Sequence, residues 1–127
     1  TIGAIAINST PAATNQGFIT CLPNDRTPLF FLYHYLRHNV PEFERNASGA
    51  TFKELTKGVF KTLPFIEPPA SLIRVFEERV APMMRLVQNL ERQNANLRAQ
   101  RDLLLPRLVS GKLSVEDAER QAEETAA

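Results

Sequence analysis

The chain has few cysteines, few glycines and no long hydrophobic segment, so it has too little cysteine for a disulfide-rich or zinc-cluster protein and too little unbroken hydrophobic sequence for a membrane-spanning one. Its 127 residues include one cysteine, five glycines and no tryptophan. The single cysteine, Cys21, excludes an internal disulfide framework and a cysteine-cluster zinc site. No segment approaches the roughly 18 uncharged apolar residues of a membrane span, and no signal-peptide pattern opens the chain. These absences predict a protein of the reducing cytoplasm, without membrane association, in which Cys21 lies in a buried strand.

Excess charge of either sign is also missing. The chain has 15 Lys and Arg against 14 Asp and Glu, a formal net charge of +1. A protein that holds nucleic acid through bulk charge alone would be more basic. A local bias stands out between Arg37 and Lys61, where basic residues outnumber acidic ones and His38 lies nearby. This bias is compatible with a nucleic-acid contact and equally with solvated helix faces.

No catalytic arrangement is evident in the sequence. His34 and His38 have metal-ligand spacing, but no glutamate stands between them and no third ligand is evident, so packing among aromatics is the alternative for His34. Glu42 and Glu44 cannot share a helix face, which excludes them as an acid and base pair. The scattered glycines form no phosphate-binding loop. We therefore expect a non-catalytic protein with no metal and no cofactor.

The first 69 residues predict a mixed region of strands and helices. Residues 2–7 and 17–22 are rich in residues that suit a pleated strand. Residues 63–66 predict an edge strand, because Pro64 has no amide donor for a central ladder. Thr27 and Pro28 predict a helix start in which the threonine hydroxyl caps the first turn.

Further helices are predicted on either side of a glycine turn. The first helix is expected to end near Asn39 and to bury Leu29, Leu32, Tyr33 and Leu36. Pro41 opens a short helix with Phe43 on its inner face. Ser48 to Thr51 form a turn in which Gly49 supplies a positive φ. A further short helix is expected over residues 56–61.

The sequence after Pro68 and Pro69 predicts helices almost throughout. The first apolar face there comprises Leu72, Val75, Phe76 and Val80. Pro82 is expected to break or kink the helix, because it removes a hydrogen bond and clashes one turn back, and Pro106 threatens the other end in the same way. Gly111 predicts the helix end. Ser114 with Asp117 has the spacing of a capping box at the start of a last polar helix, about residues 114–124.

A heptad repeat runs through the long helix. Leucine or methionine occupies every d position, and the a positions include Asn94 and Arg101. We call the following residues the heptad stripe: Met83, Val87, Leu90, Asn94, Leu97, Arg101, Leu104 and Leu108. The alternative is an ordinary amphipathic helix packed on its own domain, but Asn94 and the polar remaining surface favour a coiled-coil interface. At 1.5 Å per residue, the stripe spans roughly 40 Å.

The order of these segments resembles the specificity subunit of type I restriction-modification enzymes. Residues 15–19 resemble its Asn-Gln-apolar strand, and residues 29–36 its aromatic helix. Residues 47–55 are similar to a glycine turn with a following helix, and residues 63–69 to the closing strand before a double proline. Residues 103–113 resemble the "LLxxLxSGxL" ending. The family usually carries a Glu-Gln pair after the double proline, and this chain does not.

The resemblance implies an α+β fold: a partial small α/β target-recognition domain followed by a long C-terminal coiled-coil helix. Residues 1–69 would be the C-terminal part of a recognition domain whose remainder precedes Thr1. Residues 70–113 would be a helical spacer and dimerisation region, and residues 114–127 a polar helix or tail. The implied partners are double-stranded DNA, of which one half-site is read, and the modification (methyltransferase) subunits with, through them, the restriction subunit. The isolated chain is expected to form a homodimer.

Candidate DNA contacts follow from the chemistry of the grooves and the phosphates. Arg, Lys, Asn and Gln read base edges, whereas Lys, Arg, Ser and Thr contact phosphates. The candidates are Asn15, Gln16, Arg45, Ser48, Thr51, Lys53 and Lys57. Asn15 is alternatively a turn residue, Thr51 a helix cap, and Lys53 and Lys57 solvated side chains. A different class of function, a coiled-coil homodimerisation module without DNA binding, stays open beside the specificity subunit.

Overall fold

The part of the chain that the structure describes is built from five helices. The computed structural model describes residues 2–49 and 53–126. The helices are α1 (Leu29–His38), α2 (Val40–Arg45), α3 (Lys57–Thr62), α4 (Ala70–Val109) and α5 (Val115–Ala126). The chain divides into two compact units, Thr1–Pro82 (unit 1) and Met83–Ala127 (unit 2). None of the described helices is long and apolar enough to cross a membrane.

The expected α+β class, with its α/β domain, is wrong. Within residues 2–49 and 53–126 there is no strand, and the pairing found there is an isolated antiparallel bridge between Ser48 and Glu54. A strand exists only where a neighbour takes up its amides and carbonyls, so an apolar alternation does not form one by itself. The alternation does remain visible, since Ile5 and Ile7 are half-buried while Ala4 and Ala6 are exposed.

Cys21 is half-buried but lies outside any strand, so the strand expected around it is also wrong. Burial raises the pKa of the Cys21 thiol, because an apolar environment disfavours the thiolate.

The core of unit 1 is small and lies where its helices meet. Its buried apolar side chains are Phe30 on α1, Phe43 on α2, and Ile73 and Ala81 on α4. Edge-on aromatic contacts extend it, with Phe43 packing on Phe60 of α3 at 5.5 Å between ring centroids. Burying these few side chains at about 1.5–3 kcal/mol for each large one is the main favourable contribution here.

The apolar face expected on the first turns of α4 is displaced. Leu72 and Val75 are 60% and 50% exposed, whereas Ile73 and Ala81 are 4% and 6% exposed. Residues four or eight apart share one helix face, so Ile73, Glu77 and Ala81 form the inward face. That face carries a carboxylate, which is why apolar spacing alone did not identify it.

The start of α1 also differs from the prediction. Its N-cap is Pro28, which makes no side-chain hydrogen bond, so the expected threonine cap is wrong. Asn24 instead organises the preceding loop, because its Oδ1 accepts hydrogen bonds from the amides of Arg26 and Thr27, each at 2.9 Å. The first-turn amides of α1 bond to a residue of α4, Glu77.

The short helix expected at Pro41 and the positive φ expected at Gly49 are confirmed. Helix α2 carries its proline in the first turn and buries Phe43. Helix α3 forms where a short helix was expected, and its cap, which was not predicted, is Thr56, accepting a hydrogen bond from the amide of Val59 at 3.3 Å. Gly49 has φ 129°, in the region that favours glycine.

Helix α4 continues through both of its prolines, so the expected break at Pro82 is wrong. An interior proline removes a single amide donor and costs about 3 kcal/mol. Here the helix runs without interruption on both sides of each proline, so its other hydrogen bonds hold the chain helical.

The end of α4 confirms the predicted glycine stop. Gly111 has φ 69°. Its amide donates to the carbonyl of Leu108 at 3.1 Å, and the amide of Lys112 donates to that of Arg107 at 2.9 Å. This is the Schellman pattern of helix termination. Ser114 then caps α5, accepting from the amide of Asp117 at 3.1 Å, as its spacing predicted.

Candidate functional site

The first pair of candidate DNA contacts lies in an exposed turn of unit 1. The Oδ1 atom of Asn15 accepts a hydrogen bond from the amide of Gly17 at 3.0 Å, and its carbonyl accepts one from Phe18 at 3.3 Å. Asn15 is therefore engaged in shaping the turn, as the alternative reading of this residue held. Gln16 is exposed at the tip of the same turn. Of the two, Gln16 is the better candidate for a base edge.

Arg45 is the last residue of α2, and its charge is compensated within that helix. Its guanidinium forms an ion pair with the carboxylate of Glu42, which also accepts a hydrogen bond from Asn46 Nδ2 at 2.8 Å. The hydrogen bonds from Arg45 and Asn46 lower the pKa of Glu42 below its ordinary value. The Arg45 side chain is 71% exposed, so water and salt screen this ion pair, and Arg45 stays a candidate for a phosphate contact.

The structure brings three other candidates to one place. The bridge between Ser48 and Glu54 closes a loop, with the Ser48 amide donating to the Glu54 carbonyl at 3.1 Å and the reverse bond at 2.8 Å. Lys53 lies in this loop and Lys57 begins α3 four residues later, and both are exposed. We call the described residues of this stretch, 48–49 and 53–57, the bridged loop. Thr51, also a candidate, lies outside the described residues.

The two groups of candidates are separate features of unit 1. Among the described residues, no hydrogen bond joins the turn at Asn15 to the bridged loop. Exposed lysines beside the bridge, at Lys53, and at the start of α3, at Lys57, suit phosphate contact, because their cationic ends can reach an anion. A neighbouring exposed glutamine supplies the donor and acceptor pair that reads a base edge.

A groove beside α1 was not identified from the sequence. It has a volume of about 520 Å³ and is lined by Phe31, His34, Tyr35, Arg37, His38 and Phe76. His34 packs edge-on against Tyr33 and Phe76, with ring centroids 5.2 and 5.8 Å apart, as the packing alternative held. Within the described residues, no group of three His, Cys, Asp or Glu side chains could hold a metal ion. The helical spacing of the aromatics and histidines on α1 was the signal that could have located this groove.

Among the described residues, most of the heptad stripe is an exposed surface of unit 2. Met83 and Leu97 are 64% and 61% exposed, while Val87 and Leu90 are 45% and 47% exposed. Asn94 and Arg101 are exposed as well, and Leu104 and Leu108 are half-buried. The Arg101 guanidinium bonds the adjacent Asp102 carboxylate at 2.7 Å. An apolar stripe of this length left in water is characteristic of a surface that pairs with another helix.

Comparison with known proteins gives one consistent result. A family model described as the type I restriction modification DNA specificity domain matches residues 1–72. The type I restriction enzyme HindI specificity subunit of Haemophilus influenzae is 30% identical over 116 residues, 89% of this chain and 25% of that protein. The type I restriction enzyme MjaIX specificity subunit of Methanocaldococcus jannaschii is 32% identical over 88 residues, 69% of this chain and 20% of that protein. No solved structure matches the chain. The chain thus spans a quarter or less of the length of these relatives.

Proposed function

Because this chain belongs to the type I restriction modification DNA specificity family, we propose that it is a non-catalytic element reading one half of a split DNA target. The observation that carries the proposal is the position of the family match, since residues 1–72 contain both the turn at Gln16 and the bridged loop. Exposed lysines there would contact phosphates, and Gln16 would contact a base edge. Methyl transfer and cleavage would belong to other subunits of the assembly.

The heptad stripe supports pairing with a second copy of the chain. In an antiparallel pair, a and d positions face each other. Met83 then meets Leu108, Val87 meets Leu104, Leu90 meets Arg101, and Asn94 meets Leu97 of the second copy. Each polar a residue faces a leucine. A parallel pair would instead place Arg101 against Arg101, which brings two like charges together in the interface.

The flanking positions favour the same orientation. In the antiparallel pair, Glu91 lies beside Arg98 of the second copy, and two-fold symmetry makes this ion pair twice. Met84 lies beside Leu105 at the outer ends. In the parallel pair, Glu91 would neighbour Leu86 and Arg98 would neighbour Gln93, so neither charge would meet its opposite. Charge complementarity therefore supports an antiparallel homodimer of this chain.

Such a homodimer would work as a spacer between two reading units. A helix rises 1.5 Å per residue, so the paired stripe would set a separation of about 40 Å, close to one turn of DNA. We further propose that α4 and its surroundings dock the modification subunits, and through them the restriction subunit. The second candidate, a homodimerisation module without DNA binding, rests on the stripe alone.

Sedimentation equilibrium tests the pairing. The parent chain is expected to sediment as a dimer, and the double variant Leu90→Lys, Leu97→Lys as a monomer, because burying four lysines per dimer in the interface is strongly unfavourable. The matched control is Leu103→Lys, Val109→Lys, which adds the same charge at exposed positions outside the stripe. A stripe variant that sediments like the parent would contradict the proposal.

Adding a purified modification subunit tests docking, because binding of that subunit should shift the sedimenting dimer to a larger complex.

A further inference from the structure

The first turn of α1 lacks the capping that a helix normally takes from its own sequence. The N-cap residue Pro28 has no side-chain donor or acceptor, and the first turn contains no acidic residue. The leading amides of a helix have no partner within it and need an acceptor from elsewhere. In this chain the acceptor comes from a residue 46 positions after Phe31.

That acceptor is the carboxylate of Glu77 on α4. Its Oε1 accepts from the amide of Phe30 at 3.2 Å and its Oε2 from the amide of Phe31 at 2.8 Å, in part-buried surroundings. Negative charge at a helix N-terminus is favourable, and bonds to a charged acceptor are the stronger ones. Glu77 lies between Ile73 and Ala81, which are buried one turn away on each side. The two bonds are thus part of the packed contact between α1 and α4.

A carboxylate that uses both oxygens constrains the two helices more than a single bond does. One hydrogen bond would allow α1 to rotate about it, whereas two adjacent bonds fix both the position and the direction of its first turn. The nearby Arg26 also makes a two-bond pair with Glu67, at 3.2 and 3.0 Å. Its arginine is 80% exposed, so water and salt screen this pair, and it constrains the helices less.

We propose that Glu77 is a positioning residue that sets the direction of α1, and with it the DNA-reading surface of unit 1, on the first turns of α4. This inference rests on the proposed function, in which α4 sets the half-site spacing. Glu77 would touch neither DNA nor the pairing helix. It would act through α1, so its loss would relax the accepted spacing between half-sites.

A spin-label distance measurement tests the orientation without DNA. Labels are placed at His38→Cys on α1 and Arg79→Cys on α4, both exposed, in a Cys21→Ser chain. Glu77→Ala should broaden the distance distribution, and Glu77→Gln should do so less, because one amide oxygen still accepts a bond. The control is Glu78→Ala, an adjacent glutamate that is 67% exposed and pairs only loosely with Arg74. A distribution in Glu77→Ala as narrow as that of the parent would overturn the proposal.

A second readout separates positioning from a merely structural role. The chain is bound to its modification subunit, and the affinity of this complex for DNA is measured with two duplexes. Both duplexes carry the half-sites obtained by selection from random DNA, at spacings that differ by one base pair. A loss of folded protein weakens both affinities equally and leaves their ratio unchanged. Loss of positioning should lower the ratio by about fivefold, the effect of roughly one net hydrogen bond, with Glu77→Gln intermediate and Glu78→Ala unchanged. An unaltered ratio in Glu77→Ala would overturn the positioning role.

The two measurements also distinguish this inference from the proposed function. A parent chain that binds neither duplex would contradict the DNA role and the effect on spacing, while the distance distributions would still decide whether Glu77 orients α1. A parent that discriminates between spacings, with variants that do so equally well, would leave the DNA role supported and reject Glu77 as its positioning residue.

Discussion

At the scale of single residues, the asparagines of unit 1 shape the backbone. Asn39 Nδ2 donates to the carbonyl of Tyr35 at 2.7 Å, and Asn46 Nδ2 donates to that of Glu42 at 2.9 Å. Asn15 and Asn24 accept hydrogen bonds from amides of their own turns. Short amide side chains readily bond to nearby backbone groups. This competition is the basis of the alternative interpretation of Asn15 as a turn residue instead of a base contact.

The lysines of the bridged loop give a prediction at the same scale. Lys53→Ala and Lys57→Ala should each weaken binding to all DNA sequences alike. Each change should also reduce the magnitude of the slope of log affinity against log salt by about one, because each phosphate contact releases a counterion. Gln16→Ala should instead lower affinity at one base position by roughly 1–3 kcal/mol and relax the preference there. Fluorescence anisotropy over a salt series measures both effects.

The control for this series is Lys112→Ala, which removes a lysine of unit 2 that is also exposed. It should leave the salt slope unchanged. If Lys112→Ala lowers the slope as much as the loop variants do, the bridged loop has no special role in DNA binding.

At the scale of elements, several signals within three or four residues gave correct predictions, although the threonine cap of α1 and the break at Pro82 did not form. Pro41, Ser114 and Gly111 each act on the backbone next to them, so their effects do not depend on the rest of the fold. The strands could not be predicted from alternation at residues 2–7, because a strand also needs a partner. Glu77 could not be predicted as the cap of α1, because only tertiary packing brings it to Phe30.

The glycine at the end of α4 gives a prediction for that element. Gly111→Ala should destabilise the helix end by about 1 kcal/mol, because a side chain is strained at φ 69°, although nothing lies within 4 Å of the added Cβ. The control Gly58→Ala lies inside α3 with its nearest neighbour at an ordinary 3.8 Å, and it should stabilise by about 0.5–1 kcal/mol. Hydrogen exchange of the amides around each site measures both, and equal effects of the two changes would contradict the assigned roles.

The orientation proposed for the paired helices gives a further prediction at the scale of elements. Glu91→Arg alone and Arg98→Glu alone should each weaken the homodimer about 5- to 30-fold, because two attractive pairs become repulsive at roughly 0.5–1 kcal/mol each. A mixture of the two variants should restore pairing as a heterodimer, because only the antiparallel arrangement brings residues 91 and 98 together. Sedimentation of each variant and of the mixture measures this.

A mixture that associates no better than the single variants would contradict the antiparallel pairing. High salt offers a further check, because exposed ion pairs are screened. At about 1 M salt the differences among the parent, the variants and the mixture should become small, whereas the effect of lysines in the heptad stripe should persist.

At the scale of the whole molecule, much of the apolar surface has no cover within the described residues. In unit 1, Leu22 and Ile66 are 79% and 75% exposed, and in unit 2 the heptad stripe lies open. The chain spans a quarter or less of its curated relatives. The order of short motifs identified the family because motif order is a property of the sequence and does not depend on tertiary contacts. The fold class was mistaken, since sheet formation depends on partners that the motifs do not supply.

The proposed two-fold homodimer, with its two identical DNA-reading units, has a direct consequence for the arrangement of the half-sites in the DNA target. Identical units related by a two-fold axis read identical half-sites in inverted orientation, at a spacing set by the protein. The chain with its modification subunit should therefore enrich, from a pool of random duplexes, an inverted repeat whose two halves are separated by a fixed unread gap. Enrichment of a single undivided motif, or of none, would contradict the proposal that this chain is a paired DNA-specificity element.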